Sequence, residues 1–143
     1  MPLEGEYEAS PWSFAADHVE RIESSGGTEG ATIRDLPVIV LTHRGRHTGK
    51  IRKSPLMRVE HDGRYTAVGS LGGAPKNPVW VYNLRANPDV TVRDGTAVYD
   101  MRARELEGAE RDEWWKRAVE AYPDYADYQA RTERLIPVFL LEP

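Results

Sequence analysis

Pro37-Val38-Ile39-Val40-Leu41-Thr42 is a short apolar run rich in β-branched residues, the pattern of a buried strand. Arg44 to Lys50 follows as a glycine-containing turn, and Ile51 to Glu60 reads as the returning strand. Pro55 within that strand removes a ladder donor, which calls for a bulge or an edge position. His61-Asp62-Gly63-Arg64 puts Asp-Gly at the centre of a second hairpin turn, and Tyr65 to Ser70 is the next strand. Strands joined by tight turns pair antiparallel, so this stretch sets the class of the fold.

Upstream, residues 12–24 read as an amphipathic helix with Trp12, Ala15, Ala16, Val19 and Ile22 at helical spacing. Ser10 is its expected N-cap, Pro11 its first residue, and Gly26-Gly27 its stop. Downstream, Leu71-Gly72-Gly73-Ala74-Pro75 breaks the strand. Asn77-Pro78 is expected to start a short helix that points Val79, Trp80, Asn83 and Leu84 inward and ends at Ala86-Asn87-Pro88. Val90 to Arg93 and Thr96 to Leu106 form a further hairpin around Asp94-Gly95. Residues 109–121 are helical with Trp115, Ala118, Val119 and Tyr122 on one side. Asp124 to Arg134 reads as a helix capped by Asp124, and Ile136 to Leu141 as the closing strand.

About six strands and four helices result, without regular strand–helix alternation, which argues against a doubly wound parallel sheet. The expectation is an α+β fold: a small, mostly antiparallel barrel with helices on its outside. Residues 1–30 are read as an N-terminal helix and loop, and residues 31–143 as a single barrel domain.

The 143 residues carry 40% apolar and 29% charged side chains, ordinary for one globular domain. No cysteine is present, which excludes disulfides, thiolate nucleophiles, iron–sulfur clusters and cysteine zinc sites. No apolar run reaches the length of a membrane span, and the acidic start Met1-Pro2-Leu3-Glu4 is unlike a secretory signal. A cytoplasmic protein is expected. The net charge of -4 argues against nucleic-acid binding.

The charge is unevenly placed. Residues 1–30 carry seven acids and one base, Arg21, whereas residues 43–58 carry Arg44, Arg46, Lys50, Arg52, Lys53 and Arg58 with His43 and His47 and no acid. A solvated hairpin accounts for a basic run, but Gly45, Thr48 and Gly49 are interleaved here. Small residues let backbone N–H groups approach an anion, and arginines add forked donors. The spacing fits neither a P-loop nor a dinucleotide fingerprint.

A second donor-rich segment, Gly69-Ser70-Leu71-Gly72-Gly73-Ala74-Pro75-Lys76-Asn77-Pro78, leads into a helix start. Two such segments suggest a phosphorylated planar cofactor; two ordinary turns are the alternative. Tyr122, Tyr125 and Tyr128 recur every three residues, and phenols at that spacing either pack or wall a pocket and donate to a developing oxyanion. No serine sits in a nucleophile elbow. His43 and His47 lie on a strand end and a turn, not on one helical face, so no metal site is expected.

Taken in order, these segments resemble the deazaflavin-dependent nitroreductase family, small reductases that use reduced coenzyme F420. The resemblance is carried by Gly26-Gly27-Thr28-Glu29-Gly30, residues 37–42, Gly45 to Arg52 with Pro55-Leu56, and Gly72 to Trp80. It continues in Asn83 to Pro88, Tyr122 to Gln129, Arg131 to Arg134 and Ile136-Pro137-Val138.

The resemblance implies a split β-barrel of the flavin-binding type and hydride transfer to an electron-poor acceptor: a quinone, a nitroaromatic or an activated enone. It implies that Arg46, His47, Thr48, Lys50, Arg52, Lys53, Ser54, Pro55, Leu56 and Met57 line the cofactor groove, with the cations meeting the phosphate and acidic glutamate tail of F420. It places Val68, Gly69, Ser70 and Leu71 as strand backbone against the deazaflavin. Val79, Trp80 and Asn83 support the cofactor from the helix start, and Ser70, Tyr125 and Tyr128 act at the substrate side.

Three positions depart from the family pattern. His47 stands where lysine is frequent, Leu71 where a lysine follows the serine, and Met57 where some members have tyrosine. An FMN- or FAD-dependent split-barrel oxidoreductase and a non-catalytic F420 carrier are the alternative readings. The expected partner is a small-molecule acceptor; a homodimer and transient contact with the inner membrane face through a quinone are compatible with the reading.

Overall fold

Alternating side chains on β2 (Leu36–Arg44) and β3 (Ile51–Met57) put an apolar residue on each face, so the hairpin they form is covered from both sides. The computed structural model describes residues 3, 5–33 and 35–143. Around that hairpin run α1 (Ser13–Ser24), β1 (Thr32–Ile33), β4 (Glu60–His61), β5 (Arg64–Val68), a 3-10 turn (Leu71–Gly73), α2 (Val79–Ala86), β6 (Asp89–Asp94), β7 (Ala97–Glu105), α3 (Gly108–Ala121), α4 (Asp124–Ala130) and β8 (Val138–Glu142).

All strand pairs are antiparallel, in the order β1-β2-β6-β7-β8-β5-β4, with β3 attached to β2. β3 approaches β5 without a ladder between them. The sheet is therefore a barrel split along one seam, and the fold is α+β. Pro55 lies on the strand that borders the seam, where its missing N–H costs no ladder bond.

One face of the β2–β3 ladder carries Ile39, Leu41 and Leu56 into the barrel interior. There they meet Tyr65, Ala67, Val90, Val92, Met101, Ala103, Phe139 and Leu141. Trp80, Val81 and Leu84 of α2 enter the same core, with Trp80 edge-on to Phe139 at 5.8 Å. So α2 is not an outer helix; it plugs one mouth of the barrel. The other face carries Val38, Val40 and Met57 against Val19 and Ile22 of α1 and against Ala118, Tyr122 and Tyr125. Each fully buried side chain of this size contributes roughly 1.5–3 kcal/mol.

Several local expectations are corrected. α1 starts at Ser13, Trp12 is exposed, and Ser10 Oγ accepts from the Trp12 N–H before the helix begins. The third hairpin turns at Gly95-Thr96, since Asp94 pairs with Ala97 and Gly95 takes φ +61°. On α3 the fully buried indole is Trp114, while Trp115 is half-buried. α4 ends at Ala130, four residues early, which frees Arg134 for another task.

At α2, Val79 is exposed, and Asn77 caps nothing with its side chain because its Oδ1 is engaged by Arg134. The strand leading to Ser70 ends at Val68.

Candidate functional site

The turn after β2 is closed by its own backbone. The Gly45 N–H donates to the Lys50 carbonyl at 2.8 Å, the Gly49 N–H donates to the Gly45 carbonyl at 2.9 Å, and Gly49 takes φ +71°. Thr48 Oγ1 accepts from the Lys50 N–H at 3.1 Å, so this hydroxyl shapes the turn. Arg46 and His47 are exposed at its tip, with the Arg46 guanidinium 4.8 Å above the Tyr82 ring.

A buried polar chain ties this turn to α2 and β3. The Arg46 N–H donates to Asn83 Oδ1 at 3.0 Å, which leaves Asn83 Nδ2 to donate to His43 Nδ1 at 3.1 Å. His43 Nδ1 is then an acceptor, so its proton sits on Nε2, 3.1 Å from Ser54 Oγ. Burial, with the Arg52 charge adding to it, pushes His43 down to about 3, so the ring is neutral at ordinary pH.

Along β3, Lys50 lies 3.8 Å from the Glu6 carboxylate, and Arg52 bonds Glu8 at 3.0 Å. Lys53 pairs with Glu23 of α1, which also binds Arg93. Burial opposes the charge on Glu23, yet these two cations hold its carboxyl below the usual range.

The glycine-rich segment is held differently. The Arg134 guanidinium donates to the carbonyls of Gly69 (3.1 Å), Ser70 (2.7 Å) and Ala74 (2.9 Å) and to Asn77 Oδ1 (2.8 Å). One planar fork thus fixes four points of residues 69–77. Within the turn Leu71 takes φ +45°, a conformation that L-residues rarely adopt. Gly69 and Gly73 are close-packing positions. A Cβ at Gly69 would stand 2.8 Å from Val81 Cγ2, and one at Gly73 would stand 2.8 Å from the Tyr128 carbonyl oxygen.

That last contact seats α4 on the glycine turn. Tyr122, Tyr125 and Tyr128 pack edge-on to one another with centroids 5.0–6.2 Å apart, and the Tyr122 and Tyr128 hydroxyls are 3.0 Å apart. Tyr125 is buried and Tyr128 half-buried. Burial raises the Tyr122 and Tyr125 phenols well above their ordinary range, so both are protonated donors rather than bases.

The fold ties the predicted segments to their neighbours pairwise, two of the links through the predicted residues Asn83 and Tyr128 and one through Arg134. Asn83 joins the cationic turn to α2, Arg134 joins the glycine turn to the approach to β8, and Tyr128 rests on Gly73. Val68, Gly69 and Ser70 are buried at and just past the end of β5, while Leu71, next in the chain, and Val79, at the start of α2, are exposed apolar side chains. Pro55, Ser54 and Leu56 are half-buried on the seam strand.

Two predicted residues lie apart from the groove surface. Trp80 is a core residue beneath it. Met57 faces the α1–α3 core and borders a concavity of about 560 Å³ with Leu36, Arg58, His61, Arg117 and Glu120. That concavity shares Met57 alone with the predicted cofactor residues. Ser70 and Leu71 present turn backbone rather than strand backbone.

Sequence reading missed His43, Tyr82 and Arg134. His43 stands at the head of the basic stretch and Arg134 closes Arg131-Thr132-Glu133-Arg134, but no spacing rule marks either as an anchor. The pairing of His43 with Asn83, 40 positions away, exists only in the folded chain.

The site's chemistry fits a phosphorylated, acidic, planar group. Lys50, Arg52 and Arg46 supply cations, exposed Leu71 and Val79 supply apolar surface, and Tyr128 packs on the glycine turn.

Comparison with known proteins agrees. The profile of a family described as F420H(2)-dependent quinone reductase matches residues 15–143. An F420H(2)-dependent quinone reductase of Mycobacterium tuberculosis is 33% identical over 121 residues, covering 82% of this chain and 81% of the relative. A solved structure described as F420-H2 dependent reductase (FDR-A) is 57% identical with a TM-score of 0.71, covering 74% of this chain and 94% of that one. Another, described as a domain-swapped dimer, is 52% identical with a TM-score of 0.74 and covers 93% of this chain and all of that one.

Proposed function

Since the chain belongs to the F420H(2)-dependent quinone reductase family, we propose that it reduces a quinone-type acceptor with reduced coenzyme F420. The observation that carries the reading is a cationic turn tied to α2, together with a stapled glycine turn against which Tyr128 of α4 packs. When bound, reduced F420 supplies the hydride.

The chain's own residues do the rest. Arg46, His47 and the Thr48 turn meet the phosphate, and Lys50 and Arg52 meet the acidic tail. Asn83, neutral His43 and Ser54 keep that turn in register with α2 and β3. Arg134 holds Gly69 to Leu71 in the shape that receives the flat ring. Its guanidinium binds four oxygens, three of them carbonyls and none a carboxylate, so its charge stays available to oppose negative charge gathering on the reduced acceptor.

Tyr128 and Ser70 border the space for the acceptor. A protonated phenol donates a hydrogen bond to oxygen as negative charge builds there. Tyr125 backs Tyr128 edge-on at 6.2 Å.

Residues 31–143 are read as the cofactor-binding domain. A homodimer is inferred from the relative described as a domain-swapped dimer, with light scattering as its check. Among the described residues no helix is long and apolar enough to cross a membrane, and α1 buries Ala15, Val19 and Ile22 against the barrel.

The test is a fluorescence titration with F420 beside FMN and NADPH, followed by oxidation of reduced F420 with a soluble quinone. Selective F420 binding and quinone-dependent oxidation are expected. FMN preference would keep the fold and overturn the cofactor, and F420 binding without turnover would make the protein a carrier.

A further inference from the structure

Lys50, Arg52 and Lys53 are three of the cations assigned to the cofactor, and all three face groups from the N-terminal segment. Residues 6–8 lie beside the start of β3. The Ile51 N–H donates to the Glu6 carbonyl at 2.7 Å, and the Glu8 N–H donates to the Ile51 carbonyl at 2.9 Å, around a parallel bridge between Tyr7 and Ile51.

The Glu6 carboxylate stands 3.8 Å from Lys50 Nζ and the Glu8 carboxylate 3.0 Å from Arg52 Nη1, while Lys53 Nζ lies 5.5 Å from the Tyr7 ring centre. Alternate residues of an extended segment share a side, so Glu6 and Glu8 reach adjacent cations together. Two carboxylates on an extended chain present to Lys50 and Arg52 the same chemistry as a short glutamate tail.

The hold is light. Among the described residues it consists of one backbone bridge, the Lys53–Tyr7 contact and two ion pairs open to water, with the Glu6 side chain 76% exposed and that of Glu8 44%. Ion pairs of that exposure contribute little each and weaken with salt. Lys53 is held more firmly, because Glu23 of α1 also binds it. Lys50 and Arg52 are therefore the contested positions.

We propose that Glu6 and Glu8 are specificity-determining residues of this site: segment 6–8 is a built-in, displaceable substitute for the acidic tail of the cofactor. This rests on the F420 reading above. A cofactor whose tail reaches Lys50 and Arg52 must displace the segment, so its apparent affinity falls by the fraction of chains in which the segment is seated. A form without glutamates reaches only the turn at Arg46 to Thr48 and leaves the segment in place. The segment thereby flattens the preference for long tails that the bare cations would give.

The experiment uses the full chain and its Glu6→Gln/Glu8→Gln variant, which keeps the backbone bridge and removes only the charge. Each is titrated by fluorescence with F420 bearing several glutamates and with the phospholactyl form bearing none. The variant is expected to bind the tailed form about 3- to 10-fold tighter at low ionic strength, with the tail-less form unchanged within about twofold. The gain should vanish near about 0.5 M salt.

Equal affinities, weaker binding by the variant, or the same gain for both forms would each overturn the proposal. If the wild-type chain binds neither form, the F420 reading fails, and the segment is judged separately with tripolyphosphate and amide exchange. Faster exchange at Ile51 and Glu8 on adding tripolyphosphate upholds displacement, and unchanged exchange refutes it.

Discussion

The two turns that flank the site are held by opposite means. The cationic turn, residues 45–50, closes on its own backbone, and its main chain is anchored by a neutral chain, Asn83–His43–Ser54. The glycine turn, residues 69–77, is gripped from outside by the charged fork of Arg134 and carries Leu71 at φ +45°. A turn whose side chains must meet an anion is served by a neutral anchor, which adds no buried acid to compete for its cations. A turn whose backbone must meet a flat ring is served by an external clamp, because its own residues, two of them adjacent glycines, hold little shape.

Breaking the clamp should have the largest effect. Arg134→Ala removes four hydrogen bonds from a charged donor, and urea unfolding should show a loss of about 3 kcal/mol. F420 affinity should fall with it. Arg134→Lys should restore little, because one ammonium cannot reproduce the fork. Full rescue by lysine would mean that charge, not geometry, holds the turn.

The neutral anchor should reveal itself through pH. The unfolded chain protonates His43 near 6.5, whereas the native ring resists protonation down to about 3. Between those values the unfolded state binds the extra proton. Stability conferred by the neutral ring is thus complete above 6.5 and declines as pH falls, by about 1.4 kcal/mol per unit once well below 6.5. Unfolding measured at pH 7.5, 6.5 and 5.5 (roughly the range above carboxylate titration) should show a wild-type loss that steepens to about 1 kcal/mol over the last unit, and a flatter profile in His43→Gln. Parallel slopes would sink the assignment of a neutral His43.

The phenols sharpen the comparison on the substrate side. Tyr125→Phe with Tyr128→Phe should lower turnover about 10-fold if a phenol donates to the acceptor oxygen. Unchanged turnover would leave the tyrosines as packing alone.

Relieving backbone strain should have the smallest effect. Leu71→Gly should raise thermal stability by about 1 kcal/mol, since glycine tolerates positive φ. A loss of stability would show that the exposed leucine is held by contacts that outweigh its backbone cost.

The hairpin pattern was legible because each strand carries its own evidence. Residues 37–42 are β-branched and apolar, Asp62-Gly63 takes the positive φ values of a tight turn (+54° and +77°), and Pro55 calls for a bulge or an edge, of which the structure takes the edge. The anion turn was legible for the same reason: glycines and cations adjacent in sequence stay adjacent in space. The end of α4 was misread because Asp124 to Arg134 has adequate helical propensity throughout, and propensity yields where a guanidinium finds four oxygens elsewhere.

By itself, then, the sequence determined the antiparallel class, the seam strand, the cationic turn and the glycine turn, all of them local consequences of backbone preference and spacing. Only the tertiary structure decided which polar residues serve as anchors. His43 meets Asn83 across 40 residues, Arg134 meets Gly69 across 65, and Glu8 meets Arg52 across 44. Such partnerships depend on where the barrel closes, a collective result of apolar burial on both faces of β2 and β3, and no local pattern encodes them.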